Sequence, residues 1–379
     1  MKQSVYYLAS EELEGRYKLT SGDTLARQYI ATFFRNSHIS PLLNDYFQEV
    51  SMQNEKEGKK VIFSSNVVGF MEGTDELLKN EFVVIGAHFD HLGKGKGFRY
   101  GRTFDSLHTH YGADDNASGT AMMLEMAKRL SKVDHRRSII FIAFAAEELG
   151  LLGSKYFVEH CPVDLKQVVA MFNFDMVGKY KNHTLNIGGS KTAIETESMA
   201  DSIAKQFNVE LKFSPSGLGP SDHASFYAQQ IPVFFIHTNA DTTYHTPYDK
   251  AALIYYGGMD TIADYSYTLI KTVVDRAHKL VFQQTKDAEN SSPVKMKVSL
   301  GIMPDHSETV EGVRVEIVSP NKAAFYAGIV KGDIIVKIGK NKVTQLHDYM
   351  QALSEIDKGE EVDAVIIREG KEMLIKIKF

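Results

Sequence analysis

Five stretches of the chain place oxygen and nitrogen donors beside or just beyond short apolar runs. AHFDH offers His88, Asp90 and His91; AAEEL offers the adjacent Glu147 and Glu148; NFD offers Asp175. After a fourth run ending near His237, TTYHTPYD brings Tyr244 and His245, and the loop GADDNASG adds Asp114 and Asp115. Carboxylates gathered at one low-dielectric edge repel one another unless cations hold them, and oxygen with imidazole donors suits zinc or a related divalent metal. Two such ions about 3.5 to 4 Å apart would need a shared carboxylate, for which Asp115 is the natural bridge, and would clamp both the attacking and the leaving oxygen of a displacement. Of two adjacent glutamates, one can ligate while the other faces the cleft and takes a proton from water. Alone, Glu147 and Glu148 would read as a solvated helix start, where acids favour the positive end of the dipole. Four other stretches with complementary donors, three of them beyond strand ends, argue against that. Asp114 reads as a turn residue, and His91, His108, His110, His135, His160 and His278 read as surface or satisfied loop histidines.

These groups need a scaffold that brings them to one edge. Residues 82–87, 139–145, 168–174 and 231–236 are apolar almost without alternation, the pattern of strands covered on both faces. Met122, Met126 and Leu130 recur at helical spacing behind Ser118, the expected N-cap. Strands interleaved with amphipathic helices make an α/β layered domain, in which sites lie outside the carboxyl ends of the strands. This domain is expected over residues 1–284, with a polar linker at 285–294 inside QQTKDAENSSPV and a second, mainly β domain over 295–379.

Composition excludes several classes. With 379 residues, 43% hydrophobic, a large core is within reach, and a net charge of -5 with mixed signs leaves no basic footprint for nucleic acid. A single cysteine, Cys161, excludes an internal disulfide and a thiolate zinc cage, so any metal falls to His, Asp and Glu. No apolar run reaches the length of a membrane span, about 18 residues. GKGKGFRYG, residues 93–101, lacks phosphate-loop spacing and is expected to be a flexible flap near the site. The expected location is exported, periplasmic or secreted, with the export signal removed.

AHFDHLG, GADDNASGT, AAEELGLLGS, FNFDMVG and YHTPYD, in that order and with LASEELEGR near the start, resemble the M28 family of two-zinc aminopeptidases over about residues 7–275. The resemblance implies a three-layer αβα domain with a central mixed, mostly parallel sheet. It implies two divalent ions, expected to be zinc: His88 and Asp175 on one, Glu148 and His245 on the other, and Asp115 on both. Glu147 would be the general base, Asp90 would orient the ligand imidazole, and Tyr244 would stabilise the oxyanion. Asp222 and His223 in SDHASF would wall the pocket or support a ligand. The tail, SLGIMPD followed by AAFYAGIVKGDIIVKI, resembles a bacterial PDZ domain, with Leu300, Gly301 and Ile302 in the place of the carboxylate-binding loop. There a peptide's C-terminus would add a strand, or the domain would only pack as a lid or spacer.

The resulting expectation is a metallo-aminopeptidase acting on peptides or proteins. Its rivals are carboxypeptidase or dipeptidase specificity, glutaminyl cyclisation on the same scaffold, and an inactive peptidase scaffold acting as a PDZ peptide-binding adaptor.

Overall fold

The computed structural model describes residues 1–54, 59–94, 98–99, 102–103, 108–285, 297–304, 311–318, 322–344 and 346–379. The chain divides into two units: residues 1–94, 108–239 and 243–285 form the first, and residues 95–107, 240–242 and 286–379 the second. Beyond Thr285 the expected linker lies outside the described residues. Much of the expected flap does too, although Gly93–Lys94 pairs with Thr109–His110.

Among the described residues of the first unit, nine strands form one sheet. They are β1 (Ser40–Pro41), β2 (Phe47–Asn54), β3 (Lys59–Met71), β4 (Phe82–His88), β5 (Ser138–Phe144), β6 (Val168–Phe174), β7 (Thr184–Gly188), β8 (Glu210–Ser214) and β9 (Val233–His237). The order is β1-β3-β5-β4-β6-β9-β7-β8, with β2 paired to β3. Strands β5, β4, β6 and β9 run parallel to their neighbours in that order. The β3–β5 and β7–β9 pairs are antiparallel, so the sheet is mixed. The four parallel strands are the four apolar runs, and β5, β6 and β9 are buried along their whole length. Burial of each such Ile, Val or Phe side chain contributes about 1.5–3 kcal/mol.

Helices α1 (Lys2–Leu8), α2 (Ser21–Asn36), α3 (Gly119–Leu130), α5 (Thr196–Phe207) and α7 (Tyr256–Asp275) pack as one group, and α4 (Leu152–Glu159) with α6 (His223–Tyr227) as another. The result is an αβα arrangement. Helix α3 buries Met122, Met126 and Leu130 as the spacing requires, and ends with Lys128 and Arg129 at its negative pole. Ser118 holds the N-cap position without capping through its side chain. The Ser118 hydroxyl donates instead to the Asp114 carbonyl at 2.7 Å, while Asn116 Oδ1 accepts the Gly119 N–H at 2.9 Å. No helix among the described residues is long and apolar enough to cross a membrane.

The second unit contains an antiparallel sheet of β10 (Ile302–Pro304), β11 (Val313–Val318), β12 (Ile334–Ile338), β13 (Asn341–Lys342), β14 (Glu361–Arg368) and β15 (Lys371–Lys378). Helices α8 (Ala323–Tyr326) and α9 (Leu346–Glu355) accompany it. Its core gathers Leu300, Val315, Ile335, Leu353 and Ile366, and β10 is an edge strand.

Candidate metal centre

Three braced loops meet beyond the carboxyl ends of β4, β5 and β6. The loop before α3 carries Asp115, and its Asn116 Nδ2 donates to Phe174 O at the end of β6 at 2.9 Å. Asp114 is more than a turn residue: its buried Oδ1 accepts the Gly178 N–H at 2.7 Å, tying the loop to the chain that follows Asp175. Thr120 Oγ1 donates to His88 O at 2.8 Å and secures the end of β4. After β5, Asn66 accepts the Ala145 N–H and donates to Gly153 O, both at 2.9 Å. Position 153 must be glycine, since a Cβ there would stand 2.2 Å from Ala145 O. The chain then turns through Ala146 at φ 55°, and Met176 and His245 have φ of 57° and 55°. Each non-glycine residue in this left-handed region costs about 1–2 kcal/mol, and such strain collects where surrounding structure holds functional side chains.

The donors converge. His88 Nε2 lies 3.3 Å from Asp115 Oδ1 and 3.3 Å from Asp175 Oδ1. His245 Nε2 lies 2.9 Å from the other oxygen of the same carboxylate, Asp115 Oδ2, and 3.3 Å from Glu148 Oε1. All five residues are buried. Glu147 is half-buried while its neighbour Glu148 is 3% exposed, so the two adjacent acids occupy different environments.

Two further residues depart from the sequence reading. His91 is not a surface or satisfied loop residue: it is fully buried, with Nδ1 2.9 Å from Glu148 Oε1. Asp90 meets His88 Nδ1 chiefly through its backbone carbonyl at 3.2 Å, its carboxylate being 3.7 Å away. That carboxylate instead accepts the Glu147 N–H at 3.0 Å and the Glu148 N–H at 3.4 Å, holding the acidic pair in place.

Charge makes the cluster receptive to cations. Burial opposes ionisation of Glu148, yet His245 and His91 bring its pKa down to about 2. Burial also opposes the His245 imidazolium, but Glu148 and Asp115 raise it to about 9. Asp115, despite its burial, is held well below the carboxylate range by His245 and His88. Burial raises Glu147 well above that range; the charge of His88 opposes this, and Glu148, Asp222 and Asp175 add to it. With protons alone available, the acids recruit charged imidazoles, a role that divalent cations fill by displacing those protons. The donor spacing fits: ligand atoms about 2.0–2.2 Å from one ion stand about 3–3.5 Å apart. Glu148 Oε1, buried and in no hydrogen bond among the described residues, fits as well.

Sequence reasoning also missed residues that position the donors. Fully buried Arg16, from the LEGR stretch, donates to Phe89 O at 2.6 Å, to Tyr111 O and Gly112 O at 2.8 Å each, and to Leu8 O. It thereby joins the His88 loop to the Asp115 loop. The Asp249 carboxylate accepts the Asp114 N–H at 2.9 Å and the Asp115 N–H at 3.1 Å. Tyr244 is half-buried and stacks on His245, ring centroids 3.8 Å apart. Asp222 is fully buried with neither oxygen in a hydrogen bond among the described residues, and burial lifts its pKa to about 7. In the second unit Leu300 is buried, Gly301 has φ 80°, and Ile302 begins β10.

Residues 66–270 match the model of peptidase family M28. The chain belongs to that family. Residues 285–379 match the PDZ domain model. The M28 chain is 38% identical over 158 residues to aminopeptidase YwaD of Bacillus subtilis, covering 39% of this chain and 34% of that protein. It is 28% identical over 221 residues to leucine aminopeptidase 2 of Trichophyton equinum, covering 52% and 40%. It thus spans between a third and two-fifths of the length of these relatives. The fold is shared with BSAP, a zinc aminopeptidase from Bacillus subtilis (TM-score 0.56, 20% identity, 74% of this chain and 97% of that one). It is also shared with Porphyromonas gingivalis glutaminyl cyclase (TM-score 0.54, 18% identity, 71% and 97%).

Proposed function

We propose that this M28 chain is a metallo-aminopeptidase that removes N-terminal residues from peptides. His88 and Asp175 would hold one divalent ion, Glu148 and His245 a second, and Asp115 both, with zinc favoured by the mixed imidazole and carboxylate donors. The observation that carries this reading is the division of Asp115, whose Oδ1 faces His88 and whose Oδ2 faces His245. Ions bound there supply Lewis acidity toward the scissile carbonyl and charge to stabilise the oxyanion.

The chain's own residues supply the proton chemistry. Glu147, half-buried beside the donors, accepts a proton from the attacking water and passes it to the leaving amine. Burial and the nearby acids raise the Tyr244 pKa well above its usual value, so its hydroxyl stays protonated and can donate to the oxyanion. The Asp90 carboxylate fixes the acidic pair by accepting the Glu147 and Glu148 backbone N–H groups. We assign the peptidase to residues 1–284, a linker to 285–294 and the PDZ domain to 295–379, where edge strand β10 beside Leu300 and Gly301 would receive a peptide C-terminus.

The test is a panel of free and N-blocked aminoacyl peptides, with and without zinc. Cleavage confined to free amino termini and dependent on metal is expected. Cleavage from the carboxyl end, or ammonia release from glutamine-headed peptides without hydrolysis, would replace the reading with carboxypeptidase or cyclase activity. No metal uptake would favour an adaptor.

A further inference from the structure

His91 follows His88 by three residues in the loop that leaves β4, and the chemistry above gives it no task. Its ring is fully buried, with Nδ1 2.9 Å from Glu148 Oε1 and 3.8 Å from Asp115 Oδ2. Yet neither ring nitrogen is in a hydrogen bond among the described residues, and Glu148 Oε1 is in none either. Two donor atoms at this separation with no hydrogen bond between them can both serve one cation. His91, Asp115 and Glu148 together form a buried group able to hold one metal ion.

The ring is also held from behind. Gly112 has φ 57°, and a Cβ there would stand 2.5 Å from His91 Cγ, so the imidazole occupies space that any other residue at position 112 would take. On another side it meets the ring of His245 edge-on, centroids 5.7 Å apart.

We infer that His91 is a further ligand, through Nδ1, of the cation held by Glu148, Asp115 and His245, an inference that rests on the two-ion reading above. The two halves of the centre then differ. The Glu148 side offers two imidazoles and the His88 side one, and imidazole suits zinc well. The Glu148 side fills first.

The test is calorimetric titration of the metal-free full chain with zinc, for wild type, His91→Gln and His91→Phe, with folding checked by circular dichroism. The wild type is expected to bind in two steps, and both variants to weaken the tighter step by about 100-fold or more while leaving the other unchanged. Glutamine can still donate a hydrogen bond to Glu148. Wild-type affinity in His91→Gln but not in His91→Phe would therefore reduce His91 to a positioning residue and overturn the proposal. Unchanged affinity in both would overturn it with the two-ion reading intact. A wild type that binds no zinc removes both, and one that binds a single ion removes the two-ion reading while the same criterion decides His91 on that ion. If the variants do not fold, long-range proton–nitrogen NMR of the histidine-labelled wild type decides. Zinc must then shift the ligating nitrogens of three imidazoles, and shifts in only two overturn the proposal.

Discussion

In the C-terminal unit the one buried carboxylate among the described residues, Asp333, is matched by Arg368, whose Nε and Nη2 each donate to it at 2.7 Å. At the strand ends of the first unit, Asp115, Glu148, Asp175 and Asp222 are buried close to Glu147 and Asp90, with Arg16 as a nearby permanent cation. Even Arg16 shows the imbalance. Burial lowers its pKa to about 10 while Asp115, Asp90, Asp249 and Glu148 hold it charged. One unit balances its buried charge internally, and the other is arranged for positive charge from outside. A fold can leave acids unpaired in its interior only where something else completes them.

The largest test of that contrast is Glu147→Gln, which keeps shape but removes the base. Turnover should fall by about 10²–10⁴ with metal content unchanged, as measured by steady-state rates and elemental analysis. An unaltered rate would end the role given to Glu147.

Chelation should separate the units next. Removing ions present at about a thousand times their Kd should cost the first unit ~4 kcal/mol of stability, seen as a lower Tm in calorimetry of the full chain. The C-terminal unit, self-balanced, should not respond. Arg16→Met follows, leaving the carbonyls of Phe89, Tyr111 and Gly112 without their donor at a cost of ~3 kcal/mol in chemical denaturation, together with weaker zinc binding. Full stability in that variant would show that the two loops hold themselves.

Asp249→Ala should cost less, ~1–2 kcal/mol, and lower zinc affinity by about 10-fold, because the Asp114 and Asp115 N–H groups lose their acceptor. The smallest effect on activity is expected from Arg368→Met. It should lower the Tm of the C-terminal unit by about 5 °C and leave turnover unchanged. A matching loss of activity would mean that the two units are not electrostatically independent.

Much of this contrast was legible in the sequence. Strands β4, β5, β6 and β9 announce themselves because both faces are buried and alternation disappears. His88, Glu148, Asp175 and Asp115 are legible because each sits just past such a run or in the loop that opens a helix, whereas His245, in a loop well beyond the end of β9, is legible only through its motif. The positions that depend on tertiary contact are not. His91 looks like any loop histidine, since its partner Glu148 lies far along the chain. Arg16 finds its acceptors only after residues 89, 111 and 112 have been brought together. Ser118 holds the N-cap position without capping through its side chain, because the hydroxyl donates to the Asp114 carbonyl, while Asn116, two residues earlier, takes the Gly119 N–H. Asp114 itself shows that a turn-like cluster can carry a brace beside a proposed ligand.

The link from Asp249 to the Asp115 loop has a consequence for redesign. His245 and Asp249 stand four residues apart on one loop, so any graft that reshapes this segment to change substrate preference also moves the acceptor of the Asp114 and Asp115 N–H groups, and with it the carboxylate proposed to be shared. Selectivity is therefore more safely altered elsewhere on the rim, where side chains can be exchanged without disturbing the seat of the proposed ions.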